Sequence, residues 1–113
     1  MSVTFAQGFS AAGVVAGISS VEGKKDLALV VNNGPLDAVA GVFTSNRFCA
    51  APVQWSRKAV ADGHAKAVIL NSGGANACTG EAGYQQSVST AEAVAELVGA
   101  QAEDVAVCST GLI

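Results

Sequence analysis

Residues 67–109 constrain the fold more than any other stretch. Ala67-Val68-Ile69-Leu70 is a short β-branched run that stops at Asn71. A loop of small and amide residues follows, from Asn71 to Gly80, and then a long stretch with helical periodicity. Ala91, Val94, Ala95 and Val98 fall on one helical face, and Gly99 ends the pattern. Val105-Ala106-Val107-Cys108 is a second apolar run, leading into Ser109-Thr110-Gly111. Strand, loop, helix, strand is the alternation of an α/β layered arrangement. Ser89 followed by Glu92 has capping-box spacing, which allows a start there. An earlier start, at Glu81 with Thr79 as cap, is equally compatible, since only Gly83 interrupts the stretch.

The segments before this unit are read in the same way. Leu27 to Val31 is a buried strand ending in the turn Asn32-Asn33-Gly34-Pro35. Glu22 to Asp26 reads as a solvated hairpin tip. Ala40 to Thr44 reads as another strand, an antiparallel neighbour for the first. Pro52 to Trp55 is expected to be extended, with Ser56 capping a short helix from Arg57 to Ala61 that Asp62-Gly63 closes. Trp55 is expected to anchor packing, and His64, the single histidine, to sit in a surface turn.

Composition narrows the function classes. The 113 residues carry 6 Lys and Arg against 9 Asp and Glu, a net charge of −3, with no basic cluster to neutralise phosphates. Nucleic-acid binding is therefore disfavoured. No apolar run reaches membrane-spanning length, and no cationic residue precedes the apolar stretch at the N-terminus. A cytoplasmic location and no membrane partner are expected. Cys49, Cys78 and Cys108 are odd in number and widely spaced, which argues against a disulfide framework and a zinc site. Free buried thiols are expected, with Cys49 and Cys108 in the core.

At 13%, the charged fraction is about half of the ~25% usual for soluble domains. Some of the surface is thus expected to be covered by more polypeptide or another subunit. The apolar ending at Leu112 and Ile113 points the same way. Residues 1–113 are expected to form a single partial domain of a longer protein.

Two segments could carry chemistry. The loop Asn71-Ser72-Gly73-Gly74-Ala75-Asn76-Ala77-Cys78-Thr79-Gly80 lies where a strand meets a helix N-terminus, a place that attracts anions. It lacks the lysine and the glycine spacing of nucleotide loops, and a tight connection rich in Asn hydrogen bonds is the plainer reading. Ser109-Thr110-Gly111 sets a hydroxyl beside a glycine amide, two donors of the kind an oxyanion hole needs. An ordinary strand-end turn would have the same sequence.

Taken together, these segments resemble the bacterial glutamate N-acetyltransferase / ornithine acetyltransferase family of the cyclic arginine pathway. The resemblance runs through Gly8-Phe9, Ala11-Ala12-Gly13, Lys25 to Val31, Gly41 to Arg47, Ala51-Pro52-Val53 with Trp55-Ser56-Arg57, the loop from Asn71 to Gly80, Thr90-Ala91-Glu92 and Val107 to Ile113. Gly74 departs from the family pattern, which usually has Asn there; a looser loop with unchanged chemistry is expected. The resemblance implies an α/β/β/α sandwich, of which this chain is the N-terminal part of the alpha chain. It implies a precursor that cleaves itself at an Ala-Thr bond, the new N-terminal Thr being the nucleophile. That Thr carries acetyl from N-acetylornithine to glutamate; some members also accept acetyl-CoA as donor, and no resident cofactor or metal is implied. Carried onto this sequence, the oxyanion hole is the Thr110 hydroxyl and the Gly111 amide. No Ala-Thr pair occurs in the chain, so the nucleophile and the substrate-holding groups are expected elsewhere, in a hetero-oligomer of alpha and beta chains. The isolated chain is then expected to be inactive. The competing readings are a stand-alone domain that binds an anion at the Asn71–Gly80 loop, and a splitting product without function of its own.

Overall fold

A computed structural model describes residues 2–113. Its sheet has four strands in the order β1 (Phe9–Val14), β2 (Leu27–Asn32), β3 (Ala67–Asn71), β4 (Val105–Ser109). The β1/β2 and β2/β3 pairs are antiparallel, and β3/β4 is parallel. Helix α1 (Ala51–Ala59) precedes β3, and helix α2 (Gly80–Val98) makes the crossover from β3 to β4. The alternation read around residues 67–109 is therefore a βαβ unit, extended on one side by two antiparallel strands.

Strand periodicity assigns the two faces of the sheet. Leu27, Leu29, Val31, Ala67, Ile69, Val105 and Val107 face the helices and join Trp55, Ala59, Ala91, Val94 and Ala95 in the core. The alternate residues include Leu70 and Cys108, which are exposed on the other face. One helix layer and one sheet of the expected layered sandwich are thus present. Cys108 is not a core thiol, because it is one residue out of phase with buried Val107. Cys78 is also exposed and Cys49 half-buried; all three are free.

Four other expectations are corrected. The segment Ala40–Thr44 forms no strand, since both edges of β2 are already taken by β1 and β3. Its Phe43 ring instead lies 5.5 Å from the Arg57 guanidinium. Helix α1 begins at Ala51, before Pro52, because proline lacks only a donor that the first turn leaves unused anyway. Ala51, Trp55 and Ala59 then recur every four residues as one buried face. Ser56 is no cap; it is buried mid-helix, its hydroxyl donating to the Val107 carbonyl at 2.7 Å and accepting the Val107 N–H at 2.9 Å. Trp55 donates its indole N–H to the Val105 carbonyl at 2.9 Å. These two side chains satisfy the main-chain groups along the free edge of β4, which would otherwise invite another strand.

Helix α2 takes the earlier of its two starts. Thr79 is its N-cap residue and Ser89 lies well inside it, so the Ser89–Glu92 spacing caps nothing. Gly99, left-handed at φ 69°, ends the helix as the sequence implies. Asp26, finally, belongs to no solvated tip: it is 3% exposed.

Candidate functional site

Parallel strands deliver their carboxyl ends to one rim of a sheet, where α/β proteins gather their sites. Here that rim is Asn71 at the end of β3 and Ser109 at the end of β4, which are register partners. The chain leaving each strand is tied to the other. The Thr110 N–H donates to the Asn71 carbonyl at 3.0 Å, and the Leu112 N–H to the Gly73 carbonyl at 3.3 Å. In return the Ala75 N–H donates to the Leu112 carbonyl at 2.8 Å. Side chains close the same seam. The Gly74 carbonyl accepts the Asn71 amide at 3.0 Å and the Ser109 hydroxyl at 3.3 Å, while the Ser109 oxygen accepts the Asn76 N–H at 2.9 Å.

Asn76 fastens this loop to α2. Its amide donates to the Gly83 carbonyl at 2.8 Å and to the buried Ser87 hydroxyl at 3.2 Å, and its oxygen accepts the Thr79 hydroxyl. The Thr79 side chain is thereby turned from capping duty. The Asn-rich loop is the tight, internally bonded connection of the plainer reading. Ser72, Ala75, Asn76 and Ala77 all donate their N–H groups within the protein. An anion at this loop would have to do without those four donors. Gly74, the departure from the family pattern, has open space where a side chain would project. The loop is held through the Gly74 carbonyl, which every residue possesses, so the loosening expected from glycine is offset by these bonds.

Thr110 and Gly111 stand on this strapped frame, and both are exposed. Among the described residues, neither the Thr110 hydroxyl nor the Gly111 N–H has a hydrogen-bond partner. Gly111 has φ 134°, a left-handed value that side chains resist. A methyl group built on it would lie 2.5 Å from the Gly73 carbonyl carbon. Glycine is therefore required both by conformation and by the approach of two backbones. Two neutral donors are thus left free at this rim among the described residues. A groove of about 1080 Å³, lined by Val14, Leu29, Ile69, Val94 and Leu97, runs beside α2 to Asn71, Asn76 and Ser109. Thr110 and Gly111 lie beyond its polar end.

His64 keeps to the surface, as expected, with Nδ1 2.9 Å from the Asp37 carboxylate. The pairing raises the histidine pKa and lowers that of Asp37. It lies in the turn before β3, and a short bridge joins its backbone to Ala38.

Fold and rim define a class: a mixed α/β unit whose glycine-backed donors sit where parallel strands end. The comparisons then specify the family. The ArgJ family model matches residues 10–113. The chain is 89% identical over 113 residues to the arginine biosynthesis bifunctional protein ArgJ of Bifidobacterium longum, covering 100% of this chain and 29% of that protein. Against the ArgJ protein of Streptomyces coelicolor the identity is 60%, with the same coverage. An ornithine acetyltransferase structure from Mycobacterium tuberculosis, solved with ornithine, superposes with TM-score 0.91 at 56% identity, covering 95% of this chain and 57% of that one. ArgJ of Bacillus halodurans gives TM-score 0.92 at 39% identity, covering 100% and 58%. This chain belongs to the ArgJ family and spans less than a third of the length of these curated relatives.

Proposed function

We propose that these residues are the N-terminal part of an ornithine acetyltransferase and supply its oxyanion hole through the Thr110 hydroxyl and the Gly111 N–H. The observation that carries the proposal is the pair of unpartnered donors on a frame whose other polar groups are largely bonded within the protein. In the reaction, a threonine hydroxyl from the remainder of the enzyme attacks the acetyl carbonyl of N-acetylornithine, passing its proton to its own α-amine. The carbonyl electron pair moves onto oxygen, where the two donors stabilise it. Collapse breaks the C–N bond, and ornithine leaves with the proton. Glutamate's amine then attacks the acetyl-threonine ester through a second oxyanion at the same two donors; its proton passes by way of the α-amine to the threonine oxygen as the ester C–O bond breaks, releasing N-acetylglutamate and the free threonine hydroxyl.

Processing into two chains is part of the proposal. This chain covers 57% of the solved Mycobacterium polypeptide but 29% of the Bifidobacterium protein's length. A polypeptide roughly half as long as full-length relatives supports a precursor cut near its middle. The isolated 113 residues, without the nucleophile, are then expected to turn over no substrate. No described helix is long and apolar enough to cross a membrane, and free amino-acid substrates fit a cytoplasmic setting. Acetyl-CoA as a second donor also belongs to the proposal.

The test is Thr110→Ala in the assembled enzyme. Losing one oxyanion donor is expected to lower kcat by about 10²–10³ with little change in KM. An unchanged kcat sinks the assignment.

A further inference from the structure

We propose that Asp26 is a positioning residue for the oxyanion hole, acting through three backbones stacked in series at Ser19, Gly73 and Gly111. The inference rests on the role given above to Thr110 and Gly111.

Asp26 joins three segments. Its carboxylate accepts the N–H groups of Ala16, Ile18 and Ser19, each at 2.7 Å, which folds the connection after β1 into a fixed shape. Its own N–H donates to the Val14 carbonyl at 3.0 Å, and its carbonyl accepts the Ser72 N–H at 2.8 Å. One nearly buried residue thus holds Ser19 by its side chain and the residue before Gly73 by its main chain.

Gly73 lies between the two. At φ 113° it tolerates no side chain, and a methyl group there would lie 2.7 Å from the Ser19 N and Cα. The other neighbour is Gly111, whose missing methyl would meet the Gly73 carbonyl carbon. With no side chain between the layers, a shift of Ser19 has no soft contact to absorb it. It passes to Gly73 and on to the Gly111 N–H. The N–H bonds, chiefly that from Ser19, hold the Asp26 carboxyl below the ordinary aspartate range, so the clamp stays ionised wherever such an enzyme works. In Asp26→Asn one oxygen becomes an NH₂ group facing N–H donors, and the charge-assisted bonds are lost.

The test is a mutant cycle in the full-length enzyme. Asp26→Asn is expected to lower kcat at least tenfold, on the scale of a misplaced catalytic group, with KM within about twofold. Combined with Gly111→Ala, whose methyl already displaces the N–H that the stack positions, it should cost nothing further. Gly73→Ala displaces the same stack without touching the carboxylate, and should show the same kcat loss and the same lack of additivity. Losses that add to that of Gly111→Ala, or an unchanged kcat in both variants, overturn the positioning role and leave the oxyanion hole standing. If neither variant yields folded enzyme, Asp26 serves folding alone and the proposal is equally overturned. Thr110→Ala with full kcat marks the different failure, that of the oxyanion hole itself.

Discussion

Where β3 and β4 begin, Ala67 and Val105 are sealed under α1 and α2; where they end, Asn71 and Ser109 lead into loops in which main-chain groups meet without side chains between them. The first region is held by apolar packing, which is non-directional and spread over many contacts. The second is held by directional bonds and by glycines that leave no tolerance. Substitutions in the first should change how stable the protein is. Those in the second should change where two donors point, at smaller cost to stability. The difference teaches that one sheet can hold its apolar packing at one end of the strands and, on the function proposed here, its chemistry at the other.

The sharpest way to break this comparison is at Trp55, which is 2% exposed. Trp55→Ala is expected to lower unfolding free energy by about 3–5 kcal/mol in denaturant titrations, while the folded fraction keeps its kcat. A lost kcat with unchanged stability would reverse the assignment of the two regions. Next comes Gly111→Ala, whose methyl has no room. It should lower kcat by about 10²–10³, roughly 3–4 kcal/mol of barrier, with a smaller change in melting temperature. Retained activity would show that the Gly111 N–H is not used.

Ser56→Ala sharpens the picture at the edge of β4. It leaves both main-chain groups of Val107 without their partner and should cost about 1–3 kcal/mol of stability. Valine there would test whether the missing bonds or the volume matter.

The smallest effect is expected at the exposed His64–Asp37 pair. The folded histidine has a raised pKa, mainly from the Asp37 hydrogen bond. Its contribution is complete below the unfolded histidine value and fades as pH rises through the raised one. Asp37 is lowered, again mainly by His64, so its share is present above the unfolded aspartate value and fades as pH falls through the lowered one. Stability should show a shallow maximum between these limits, weakened by salt. Asp37→Asn should flatten it, as read from melting temperature across pH.

What the sequence makes legible follows from how local each feature is. Strands β3 and β4 and helix α2 are visible because apolar runs, periodicity and Gly99 act within a few residues. Strand β1 is invisible: Phe9-Ser10-Ala11-Ala12-Gly13-Val14 has little strand propensity and is extended because it pairs with β2. The stretch Ala40–Thr44 misleads for the converse reason, since it has strand composition but no free edge to join. Ser56 imitates an N-cap while serving β4, a partner 51 residues away in the chain. Thr110 and Gly111 stand out only through the resemblance to a family; the residues alone favour an ordinary strand-end turn. Asp26 was hidden because its acceptors' partners, at Ala16, Ile18 and Ser19, form no motif until the chain folds. An acidic residue directly against an apolar strand, with glycines on either side of the loop before it, was the one available signal.

The central claim is that developing charge is received by Thr110 and Gly111. The most direct measurement is a crystal structure of the assembled enzyme trapped as its acetyl-threonine intermediate. The account predicts the acetyl carbonyl oxygen at about 2.7–3.1 Å from both the Gly111 nitrogen and the Thr110 Oγ1. An acetyl oxygen that points away from this rim, toward donors elsewhere in the enzyme, would contradict it.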